Sequence, residues 1–104
     1  MSNNEEHKID IKTMWEEIRD KKPVRQGVFL GEEEEKFYVA KSEKEIYELS
    51  ALVYYVWLIC DGEHSVEELA QRMSKEVDVA YEEVLEPLII ALNSLSNVEL
   101  VKYM

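Results

Sequence analysis

The chain predicts an α+β domain, a short antiparallel sheet followed by helices, on three observations. From Gln26 the runs GVFLG and KFYVAK are short, rich in Val, Phe and Tyr, and separated by polar residues and a glycine. That is the signature of a β-hairpin, Val28–Leu30 paired with Phe37–Ala40. Further on, Ser65 and Glu68 form a capping box ahead of the apolar stripe Val66, Leu69, Ala70 and Met73. The last third then carries Val84, Leu85, Leu88, Ile89, Leu92 and Leu95 at helical spacing. A length of 104 residues suits one domain with one modest core.

The elements follow in order. Residues 1–8 hold no large apolar side chain after Met1 and are expected to form a disordered tail. Ile11, Met14, Trp15 and Ile18 define one apolar face of a short helix. The simpler expectation is that this face docks on the domain's own core; the alternative is a contact with a partner or with a second copy, as a homodimer. Pro23 ends the helix and fixes an extended entry, so residues 1–22 form an N-terminal appendage and 23–104 the main domain. The run Glu32–Glu35 reads as a solvated turn, since it lacks the alternating ligand spacing of a calcium loop.

The segment KSEKEIYELSALVYYVWLICDG admits two readings. Ser42 with Glu45 could cap one long helix, or EIYEL is a third strand and Ser50 caps a shorter helix running to Cys60. Asp61-Gly62 then stops that helix, and Ser65 starts the next. Asp78 is expected to cap the last helix, with Glu82 and Glu83 in its first turn. Pro87 predicts a kink or a short break within it, and the end, SNVELVKY, an extended tail.

Twelve basic against 23 acidic residues give a net charge of −11 and a pI near 4.6. Nucleic-acid binding draws its affinity from Lys and Arg on phosphates, so this balance argues against DNA and RNA. Were residues 50–60 and 65–77 a helix-turn-helix, the reading helix would set Arg72 and Lys75 against Glu67, Glu68, Glu76 and Asp78. One cysteine excludes an intramolecular disulfide and a cysteine-based zinc site. The longest apolar run, residues 51–60, is too short to span a bilayer, and the N-terminus lacks a signal-peptide core. A cytoplasmic protein without membrane contact is expected.

Cys60, Asp61, His64 and Ser65 invite a catalytic or metal-site reading. Cys60 has Val56 and Trp57 one turn back and acidic neighbours, which favours a packed thiol over a nucleophile. His64 has no second histidine nearby, and Ser65 has its capping role. No glycine-rich phosphate loop occurs. The expectation is a protein that is not an enzyme and holds no metal or cofactor.

The corner VWLICDGEHSVEELAQRM, with an aromatic-rich helix ending in Asp61-Gly62, the Ser65-Val66 start, the Glu68-Leu69-Ala70 stripe and a last helix closing on VELV, resembles the PqqD family. This family, also known as the RiPP precursor peptide recognition element, is named for pyrroloquinoline quinone biosynthesis. The likeness covers about Val24 to Val101; residues 1–22 have no counterpart in it. It implies a winged-helix-like fold, a three-stranded antiparallel sheet followed by three helices, with EIYEL as the third strand. It also implies a peptide-binding adaptor that captures the leader of a ribosomally synthesised precursor as an extra strand and presents it to a radical-SAM or other modifying enzyme. Carried onto this chain, the edge is Glu45, Ile46, Tyr47, Glu48 and Leu49, with Tyr81, Val84, Leu85 and Leu88 of the last helix as groove floor. Which of these four face the groove and which the core is open in the pattern. A winged-helix transcription regulator and a general protein-interaction module are the alternatives.

Overall fold

The computed structural model describes residues 10–104, so the tail expected over residues 1–8 lies outside the described residues. The elements are α1 (Ile11–Ile18), β1 (Pro23–Arg25), β2 (Val28–Glu33), β3 (Lys36–Ala40), β4 (Ile46–Leu49), α2 (Ala51–Ile59), α3 (Val66–Val77), α4 (Tyr81–Asn97) and β5 (Val101–Tyr103). A three-stranded antiparallel sheet in the order β2-β3-β4 is thus followed by three helices, with an extra helix at the N-terminus. No helix among the described residues is long and apolar enough to cross a membrane.

Strand β4 settles the ambiguous segment. Ser50, in extended conformation, caps α2 by accepting the Val53 N–H at 3.3 Å. Ser42 caps no helix; it sits in the β3–β4 turn, where the Glu45 N–H meets its carbonyl at 3.3 Å. The hairpin is longer than the sequence suggests. Glu32 and Glu33 belong to β2, and only Glu34 and Glu35 make the turn, both left-handed at φ 53° and 67°. Two positive φ values in a two-residue loop match the twist of the flanking strands, which is why the turn forms although neither residue is Asn or Gly. Gly27 opens β2 at φ 97°, and a Cβ there would lie 2.7 Å from the Ala40 carbonyl oxygen.

Two further expectations are corrected. Asp78 does not cap α4. It ends α3 in the left-handed conformation, and α4 starts at Tyr81 with Ala80 at the N-cap and no side-chain cap. Helix α4 runs through Pro87 without a break. Its buried side, Val84, Leu88, Ile89, Ala91, Leu92 and Leu95, packs on α2 and α3, and that burial outweighs one lost backbone hydrogen bond. The sequence also gives no sign that Pro23–Arg25 and the extended end pair. β1 and β5 form a second sheet, Pro23 opposite Tyr103 and Arg25 opposite Val101. Lys22 and Met104 exchange hydrogen bonds at its end, which extends the tie between the two segments by one residue pair.

The capping box is present as expected. The Ser65 hydroxyl accepts the Glu68 N–H at 3.1 Å, and the Glu68 carboxylate accepts the Ser65 N–H at 2.8 Å, an arrangement that stabilises by about 1 kcal/mol. Helix α1 docks on the core rather than facing away. Trp15 is buried, and Ile11, Met14 and Ile18 pack around it. Its C-terminal connection is fixed by the Arg19 and Lys21 carbonyls, which accept the Glu67 and Val66 N–H groups at the start of α3, and by an Arg19–Glu67 ion pair at 2.9 Å.

Candidate functional site

The sheet has two outer strands, and β4 is one of them. It pairs with β3 in unbroken register, Phe37 opposite Leu49, Tyr38 opposite Glu48, Val39 opposite Tyr47 and Ala40 opposite Ile46. The Lys41 N–H donates to the Glu45 carbonyl at 2.8 Å. Antiparallel ladders alternate, so the backbone groups of Glu45, Tyr47 and Leu49 point to β3 and those of Ile46 and Glu48 point away. Among the described residues, no other backbone group bonds the Ile46 or Glu48 N–H. The outer edge of β4 therefore offers two donors and two acceptors at the spacing of a further strand.

Side chains along β4 alternate between two environments. Leu49 is buried and Tyr47 half-buried, both turned to the core with Val39 and Phe37. Ile46 and Glu48 are exposed on the opposite face, Glu48 3.9 Å from the Lys36 ammonium. Glu45 lies exposed in the preceding turn, one residue before the strand.

The four α4 residues divide differently. Val84 and Leu88 are core side chains, 2% and 0% exposed, with no surface for a ligand in this conformation. Leu85 is half-buried at the margin of the core. Tyr81 is engaged by α1: its ring meets Trp15 edge-on, centroids 6.3 Å apart. Burial, then the nearby Glu67 carboxylate, push its hydroxyl pKa above the usual value. β4 packs chiefly on β3 and α2, whereas α4 packs chiefly on α1, α2, α3 and β5; α2 is their common neighbour.

The Cys60–Ser65 corner is occupied by structural bonds. Cys60 is fully buried, its thiol contacts the Val56 carbonyl at 3.1 Å, and burial followed by the Asp61 charge pushes its pKa up to about 12. Partial burial acts to raise the Asp61 carboxyl. The Glu63 and His64 amides, with the His64 ring at 2.8 Å, outweigh that effect and hold it below the usual carboxylate value. The Ser65 hydroxyl is spent on its cap. Among the described residues no cluster of His, Cys, Asp and Glu is arranged to hold a metal ion.

One surface went unnoticed in the sequence. The face of the sheet that carries Ile46 holds a depression of about 390 Å³ lined by Leu30, Gly31, Glu32, Glu33, Tyr38 and Ile46. The signal was the run Val28-Phe29-Leu30: three apolar residues in succession on a strand cannot all face one core. Alternation from Phe29, whose ring lies against Tyr54 on the helix side, turns Leu30 out, and the register shift between Phe29 and Gly31 sets Gly31 opposite Tyr38.

The family model described as Coenzyme PQQ synthesis protein D (PqqD) covers residues 27–101. No curated protein and no solved structure gives a significant match.

Proposed function

The chain belongs to the PqqD family, and from that premise we propose that it captures the leader of a ribosomally synthesised precursor peptide as a fourth strand on β4 and presents it to a modifying enzyme. Members of the family generally bind such precursors as partners of modifying enzymes and are not catalysts themselves. The observation that carries the reading is the outer edge of β4, where the N–H and C=O groups of Ile46 and Glu48 have no partner among the described residues. Main-chain hydrogen bonds from a leader would satisfy them, and alternate side chains of the leader would then lie over the two faces of the sheet.

Within the groove, Glu45, Ile46, Tyr47, Glu48 and Leu49 supply the strand, and Leu85 is the α4 side chain with surface to offer. Tyr81 joins only if α1, which carries Trp15, shifts off its ring, and Val84 and Leu88 act from beneath as packing. The enzyme is of radical-SAM type by family analogy, the compartment is the cytoplasm, and no metal or cofactor is needed for strand addition.

The test is a titration of the ¹⁵N-labelled chain with a cognate leader. The Ile46 and Glu48 amides should shift most and become protected from exchange, while those of Tyr47 and Leu49, already bonded to β3, change less. Unchanged Ile46 and Glu48 amides at saturating leader would sink the reading. Salt-sensitive binding to duplex DNA would favour the regulator instead. Against it stand the acidic face of α3 and Arg72, which is held by Glu76 at 3.3 Å.

A further inference from the structure

We propose that the outer face of the sheet, centred on the Leu30–Tyr38–Ile46 depression, docks a basic and apolar surface patch of the modifying enzyme; this rests on the adaptor reading above. Val28, Leu30 and Ile46 are 65%, 54% and 54% exposed, a large apolar commitment to solvent for a small sheet. The helices that make the core cover the other face, where Val39 and Leu49 are buried. The depression gives an inserted apolar side chain a shaped seat.

Charge selects the occupant. Residues 28–50 carry Glu32, Glu33, Glu34, Glu35, Glu43, Glu45 and Glu48 against Lys36, Lys41 and Lys44. Lys36 is already held by Glu48, and Lys41 by Glu99. A second copy of the chain would bring the same carboxylates to the interface, and anionic lipid or nucleic acid would be repelled. A protein surface bearing an apolar side chain flanked by Lys or Arg is attracted and desolvates little of its own charge unpaired. The hairpin turn points the same way. Glu34 and Glu35 occupy left-handed positions that Asn and Gly fill at lower cost, so carboxylates stand there at the expense of stability.

Position gives the face its use. Ile46 lies on β4 and also lines the depression, so a leader added to the β4 edge would emerge beside the docked enzyme. Holding both partners on adjacent surfaces raises the local concentration of peptide at the enzyme without a new contact between them.

The probe is a short acetylated peptide of repeated Lys-Leu-Pro, whose prolines lack the N–H that a fourth strand needs, with Ser-Leu-Pro and Glu-Leu-Pro repeats as counterparts. Amide spectra of the full chain should show saturable shifts at Gly31 and Tyr38 with the lysine peptide. Affinity should fall about tenfold for the serine peptide, vanish for the glutamate peptide and weaken in salt. Leu30→Lys should abolish the response yet leave leader binding, read at the Glu48 amide, intact; Glu33→Gln, which keeps the apolar floor, should weaken the lysine peptide alone. Equal binding of lysine and serine peptides, responses centred on α3 around Glu68 and Glu76, or wild-type behaviour of Leu30→Lys would each overturn the proposal. Because the probe is read at Gly31 and Tyr38 and leader capture at the exchange protection of the outward Glu48 amide, which lies outside the depression, either reading can fail while the other stands.

Discussion

The two outer strands of the sheet handle their free backbone groups in opposite ways. β2 is bulged between Phe29 and Gly31, runs into four successive glutamates, and is exposed on both faces apart from Gly31. A bulge and a row of like charges both discourage another strand from pairing there. β4 has regular register, no bulge, and one face anchored by Leu49 and Tyr47 in the core. One edge of a single sheet is blunted and the other left ready. Strand addition as proposed would be directed to β4 by the bulge and charge of β2 as much as by what β4 offers.

The sharpest way to break this contrast uses proline on β4. Tyr47→Pro removes a donor to β3 and should cost roughly 3 kcal/mol, the scale of proline within regular structure, seen as a lower urea midpoint. Glu48→Pro removes only an outward N–H, so the fold should hold while leader affinity drops by about tenfold or more, the scale of a lost buried hydrogen bond. Equal destabilisation by both would mean the assigned ladder alternation is wrong.

On the β2 side, Gly27→Ala places a methyl group against the Ala40 carbonyl at a left-handed φ and should cost about 2 kcal/mol in denaturant, with leader affinity of the folded fraction unchanged. The double variant Glu34→Asn with Glu35→Gly should raise stability by about 1 kcal/mol, read as a higher melting temperature, again without effect on the leader. Any loss of leader binding there would mean that the two edges are coupled. Smallest of all, Lys36→Ala breaks an exposed 3.9 Å pair with Glu48 and should change stability by less than about 0.5 kcal/mol.

How much could be read in advance depended on whether a feature was local. Ser65 with Glu68, the α1 face of Ile11, Met14, Trp15 and Ile18, and the packed thiol of Cys60 are decided within one or two turns of chain, and the residues carry them openly. Resemblance supplied β4, since EIYEL is equally a helix by periodicity and only its partner β3 makes it a strand. Asp78 misled because a short polar side chain serves as well in a left-handed helix end as at a helix start. The division of Tyr81, Val84, Leu85 and Leu88 among α1, the core and the surface required the packing itself, as did the clamp of β1 on β5 between residues 23–25 and 101–103.

By itself, the sequence determined a small acidic α+β domain, its family, the Ser65–Glu68 start of α3 and the buried place of Cys60, because capping, charge and burial preference act over a few residues. Only the tertiary structure decided which edge of the sheet is open, which α4 side chains reach the surface, and that Leu30, Tyr38 and Ile46 meet on one uncovered face. Those outcomes depend on register and on which element lies against which, and a one-residue slip in either would reverse every side chain involved.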